Sequence, residues 1–180
     1  MRESKNTVQS VLYRLGQARQ QLGFVKPLSA AEYEEAALYL PPSALVLFRT
    51  MAPADQRHCL RVCQRLRERG CQDREMLAAA LLHDVGKAQG RVPFWTRPAI
   101  VLGKKFTPAL LTALAISPYE FGERIIPRWQ RALSYAWWHA EIGANLASAA
   151  GLSQQAALYI RTHHEAHGPA AALHAVDEVS

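Results

Sequence analysis

Apolar residues recur at helical spacing along almost the entire chain, and no stretch alternates apolar with polar in the manner of a half-buried strand. The segment "ADQRHCLRVCQRLRERG" is the plainest case. Cys59, Leu60, Val62, Cys63 and Leu66 fall on one side of a helix, arginines fill the rest, Pro53 opens it and Gly70 supplies a stop. A chain patterned this way is predicted to be all-α.

The punctuation divides that pattern into elements. A basic helix is expected in "TVQSVLYRLGQARQQL". Ser29 with Glu32 three residues on reads as a capping box for "SAAEYEEAALYL", and Pro41-Pro42 separate it from "SALVLFRTM". Asp73 caps "REMLAAALLHDVG". Five prolines between Arg91 and Arg128 leave room only for short helices. A long helix, "RWQRALSYAWWHAEIGANLASAAG", follows, then "SQQAALYIRTHHEAHG", and finally "PAAALHAVDEVS" with Pro169 placed for a first turn.

At 180 residues the chain is long enough for one ordinary domain with its own core. Its three cysteines, Cys59, Cys63 and Cys71, form no CxxC pair and read as packing residues in a reducing compartment. The stretch from Ile142 to Ile160 has no charge but is interrupted by Asn145, Ser148, Gln154, Gln155 and a Gly151–Ser153 stop, so no transmembrane segment is expected. The N-terminus lacks the apolar region of a secretion signal, and a cytoplasmic protein is expected.

Charge is unevenly placed. Between Gly86 and Arg131 eight basic residues face two acidic ones, an excess equal to the net charge of +6 for the whole chain. The proline-broken basic segment from Arg91 to Arg131 is predicted to be a lid over the site, a partner surface or a membrane-surface contact. No nucleic-acid-binding motif accompanies it, so no nucleic-acid partner is expected.

In "AALLHDVGKAQG" an apolar helical run ends on His83 and Asp84. Adjacent helical residues point about 100° apart, so the pair cannot chelate one ion by local spacing. It can do so at a helix end, where other helices complete the site. A carboxylate is also poorly placed beside the carbonyl end of a helix unless a cation neutralises it. Gly86 is expected to close this helix in a left-handed cap. Lys87 is either the counter-ion of a solvated terminus or a phosphate contact. Other histidines lie in apolar helices or at their ends, where a bare imidazole is costly to bury. His58, His83, Asp84, His139, His163, His164 and Asp177 follow one another in chain order.

That order, with "HDVGK" at its centre and "HxxxGA" at His139–Ala144, resembles the HD superfamily of metal-dependent phosphohydrolases. The resemblance covers about residues 53–180, with residues 1–52 left as accessory helices packed on the core or forming a homodimer. It implies an HD-domain helical bundle with a metal site among its central helices. By resemblance, His58, His83, Asp84 and Asp177 match the core metal ligands, and His139, His163 and His164 match those of a second ion. The chain has "HHEAHGPAAA" where HD-GYP members continue into a glycine-tyrosine-proline signature, which sets it apart from that branch.

The chemistry fits these residue types. Imidazole and carboxylate ligands suit one or two divalent ions among Mn, Fe, Co, Ni, Zn and Mg. Two ions sharing a carboxylate can lower the pKa of a water and aim it at phosphorus, with Asp84 as the bridge. Lys87 is the candidate for stabilising charge on a phosphoryl oxygen, and Arg91 a further phosphate contact. The expected activity is hydrolysis of a phosphoester, monoester or diester, in a small anionic substrate, with a nucleotide the leading class. The alternatives are an HD-fold di-iron oxygenase and a non-catalytic nucleotide-binding regulatory module.

Overall fold

The computed structural model describes residues 25–90, 96, 100, 107–122 and 125–180. The basic N-terminal helix expected from "TVQSVLYRLGQARQQL" lies outside them. All regular structure among the described residues is helical. In chain order it runs α1 (Ala30–Ala37), α2 (Pro42–Arg49), α3 (Pro53–Glu68), α4 (Arg74–Leu82), α5 (Gly86–Gly90), α6 (Pro108–Leu114), a 3-10 turn (Pro118–Glu120), α7 (Arg128–Ala149), α8 (Gln154–Thr162) and α9 (Ala171–Asp177).

Local chemistry sets most of the boundaries. Ser29 and Glu32 form the reciprocal capping box, with the Ser29 N–H donating to Glu32 Oε2 at 2.7 Å. Asp73 and Ser153 accept from the first-turn N–H groups of α4 and α8. Pro42, Pro53 and Pro108 open their helices, where a missing N–H costs nothing. Gly70 and Gly151 lie at φ 85 and 90, the left-handed backbone that lets α3 and α7 stop. One expectation shifts. The last helix starts after Ala170, so Pro169 precedes it.

α4 is the central element. Every residue from Met76 to Leu82 is buried, as befits a helix apolar all round its circumference. It packs against α3 on one side and α8 on another, while α7 packs on α8 and α5. α1 and α2 share this core through Ala36, Ala44 and Phe48. A smaller cluster of Leu111, Ala115 and Leu133 joins α6 to the first turns of α7.

α9 docks on α3, and Leu173 and Val176 are fully buried. Arg65 of α3 donates to the Val179 carbonyl at 2.5 Å and to Ser180 Oγ at 3.0 Å, which ties down the turn that follows Asp177. Among the described residues no helix is long and apolar enough to cross a membrane.

Candidate metal centre

The α4 helix ends sooner than its apolar pattern suggests. His83 is its C-terminal cap at φ −58. His83, Asp84 and Val85 then make a tight turn, and Gly86 opens α5. Gly86 therefore does not close α4 in a left-handed cap; among the described glycines only Gly70, Gly122 and Gly151 have positive φ. Its glycine has another cause. A Cβ built there would lie 2.1 Å from the carbonyl oxygen of His139, so only glycine lets this turn press against the α7 backbone. Gly143, one helical turn beyond His139, meets the same crossing: its Cβ would sit 3.4 Å from the Gly86 nitrogen. The two glycines bring the His83–Asp84 turn and His139 together.

The seven sequence-predicted ligands converge in two adjoining groups. His58, His83 and Asp84 offer ligand atoms all within 4.8 Å of one another, and so do His139, His163 and His164. Asp177 joins the first group, 2.8 Å from His58 Nε2 and 3.5 Å from His83 Nε2. Asp84 lies between the groups: its Oδ1 is 3.8 Å from His83 Nε2 and 3.6 Å from His139 Nε2. His83, Asp84 and His163 are almost wholly buried, at 0, 1 and 0% exposed, whereas His164 reaches solvent.

Backbone carbonyls fix how the rings present themselves. His83 Nδ1 donates to the Ala80 carbonyl at 2.9 Å, His139 Nδ1 to Ala136 at 2.7 Å and His163 Nδ1 to Ile160 at 2.7 Å. A carbonyl only accepts, so each Nδ1 carries the proton, and the neutral His139 and His163 rings turn their Nε2 lone pairs inward. The Nε2 atoms of His139 and His163 then face each other at 3.4 Å, and His164 Nε2 stands 2.9 Å from that of His139. Two inward lone pairs cannot hydrogen-bond to each other, but they can share a cation. Buried His83 Nε2 has no hydrogen-bond partner among the described residues, which is the state expected of a ligand atom.

The electrostatics divide between the groups. Burial drives the His139 pKa well below its ordinary value, and nearby Lys87 pushes the same way. Burial, helped by His83 and His164, brings His163 down to about 3, so both rings are neutral near pH 7. Burial also works against the Asp84 carboxylate, but Lys87, His83 and His139 outweigh it and hold the pKa well below the carboxylate range. Asp177 is likewise held down, against its burial, by the hydrogen bond from His58 and by His83 close by. Burial opposes charge on His83, yet Cys59 and the Asp84 and Asp177 groups overcome it and raise its pKa. The carboxylate group therefore attracts positive charge, while the imidazole group offers neutral donors. The buried His and Asp residues could hold a metal ion by both geometry and charge.

Lys87 Nζ sits 2.5 Å from Asp84 Oδ1, so it is the counter-ion of that carboxylate and stands beside both groups. Arg91 lies outside the described residues. His167 occupies the exposed loop after α8. Glu141 pairs with Arg161 at 2.7 Å on the surface, away from a role in ligation. Cys59 and Cys63 are buried in the core.

Two supporting residues were not legible as such. His174 Nδ1 donates to the His163 carbonyl at 3.2 Å, linking α9, which carries Asp177, to the end of α8. Its i, i+3 spacing to Asp177 points instead to that carboxylate, and no sequence signal marks the carbonyl across the bundle. Cys59 Sγ lies 3.6 Å from His83 Nδ1, behind the ligand ring. Its apolar position on α3 signals only packing.

Comparison with protein-family models, curated proteins and solved structures gives no match.

Proposed function

We propose that the chain is a metal-dependent phosphohydrolase of the HD type, cleaving a phosphoester of a small anionic substrate, with a nucleotide the leading class. One observation carries the reading: two groups of inward-facing imidazole nitrogens flank a buried carboxylate, Asp84, within reach of both. That is the donor set of a paired divalent site, and a purely structural zinc would draw on thiolates that this centre lacks. The ligand order "HDVGK" and "HxxxGA" supports the same reading.

His58, His83, Asp84 and Asp177 would hold one ion, and His139, His163 and His164, with Asp84 shared, a second. When bound, such ions lower the pKa of water and withdraw charge from phosphoryl oxygens. The chain contributes the rest. The carbonyl bonds of Ala80, Ala136 and Ile160 hold three rings in one tautomer and orientation. Asp84 keeps its negative charge despite burial. Lys87, paired with Asp84, would offer a cationic donor to charge developing on a phosphoryl oxygen. The half-open His164 side provides the approach for a ligand.

Metal analysis and a substrate panel on the same preparation test the proposal. The expected result is about one or two divalent ions per chain and turnover of a phosphomonoester, phosphodiester or nucleotide. A fully metal-loaded protein that hydrolyses none of them overturns it. Bound iron with oxygen-dependent consumption of a substrate would assign the centre to the oxygenase class, and nucleotide binding without turnover to a regulatory module.

A further inference from the structure

From Lys87 to Arg131 eight basic residues face only Glu120 and Glu123, and Arg97, Lys104 and Lys105 punctuate the aliphatic and aromatic run "VPFWTRPAIVLGKKFTPALL". Such a mixture of cations and large apolar groups suits a bilayer interface better than bulk water. The described residues on either side of the 3-10 turn continue the theme. Ile125 is 99% exposed, Leu110 56% and Trp129 48%, and Arg128 and Arg131 are exposed beside them.

Ile125, Arg128, Trp129 and Arg131 lie at or just before the start of α7, and α6 packs on that same stretch. Leu111 and Leu114 of α6 pack against α7, and Gln130 in the first turn of α7 donates to the Leu114 carbonyl at 3.1 Å. The inward face of α6 is thereby used, leaving Leu110 with exposed Ala109 and Ala113 on its outward side. Tyr119 is exposed too, but its hydroxyl accepts from Asn145 at 2.9 Å, so it serves to anchor the 3-10 turn on α7. The guanidinium of Arg131 lies 5.7 Å over the Phe121 ring, which orients a cation at the edge of the apolar set.

We propose that this surface, centred on Ile125, Trp129, Arg128 and Arg131, docks on an anionic lipid bilayer. The chemistry matches group by group. Tryptophan settles at the headgroup level with its indole in the acyl boundary. Arginines meet anionic headgroups, and their stems cover apolar surface. A wholly exposed isoleucine is stabilised when acyl chains take it out of water. A single-stranded nucleic acid would use the arginines and the tryptophan, but the aliphatic Ile125 and Leu110 would give neither stacking nor phosphate contact. The attachment is peripheral, because no described helix is long and apolar enough to span. It does not depend on the chemistry of the metal centre.

Vesicle flotation of the full chain tests the surface. Vesicles of phosphatidylcholine with about 30% phosphatidylglycerol should carry the protein at about 0.1 M salt, and pure phosphatidylcholine should carry little. Arg128→Ala and Arg131→Ala should each weaken the attachment about fivefold. The double variant Ile125→Ser/Trp129→Ser should weaken it about tenfold or more, since Ile125 is in water and Trp129 half exposed. Unchanged thermal melting in these variants keeps the comparison clean. No flotation with anionic vesicles, or equal flotation of the double variant, would overturn the proposal. So would binding to polyuridine or polyglutamate that is as tight as to vesicles and equally sensitive to the double variant.

Discussion

His58, His83 and Asp84, with Asp177 beside them, combine imidazoles with two carboxylates, whereas His139, His163 and His164 bring imidazole alone. The groups adjoin across Asp84 Oδ1. In the first, buried negative charge is held by cationic neighbours and a tight hydrogen bond to His58. In the second, burial keeps His139 and His163 neutral. A cation entering the first group is met by compensating charge; one entering the second is met mainly by dipoles and by whatever Asp84 shares. The first should therefore bind an ion more tightly, and the second should depend on Asp84 for its hold.

Removing the shared carboxylate should break the comparison most completely. Asp84→Ala is expected to strip ions from both groups and lower hydrolysis by roughly 10³-fold or more, read by metal analysis and steady-state kinetics. If only one ion is lost, Asp84 does not join the groups. His163→Ala should separate them: the weaker ion leaves, the tighter one stays, and activity falls by about 10²-fold. Calorimetric titration of the metal-stripped variant would then show one binding event where the parent shows two. A smaller and different effect is expected of Gly86→Ala. Its methyl must displace the His139 backbone, costing about 1–3 kcal/mol in denaturant unfolding and loosening the second group relative to the first. Unchanged stability with unchanged metal affinity would show that the close crossing is dispensable.

Much of the secondary structure was legible because its causes are local. Ser29 and Glu32 stand three residues apart and bond each other, Asp73 and Ser153 cap helices that begin at the next residue, and Gly70 and Gly151 stop α3 and α7 through their own φ. Gly86 was misread for the same reason. A glycine after an apolar helix ordinarily marks a left-handed stop, and nothing nearby in the chain announces a helix crossing from residue 139. The ligand residues were legible as types in an order, but not as a geometry.

The sequence by itself determined an all-helical chain, the places where most helices begin and end, and the set of histidines and aspartates able to bind a cation. Those properties follow from periodicity and from contacts within a turn or two, where the covalent chain already holds partners close. Only the tertiary structure decided which candidate ligands share a group, that Asp84 stands between the groups, and that His174 supports the backbone of His163. His58 and Asp177 are 119 residues apart yet bond at 2.8 Å. Contacts of that kind depend on how α3, α4, α7, α8 and α9 stack around one core, and stacking is settled by the packing of whole helix faces rather than by any short stretch.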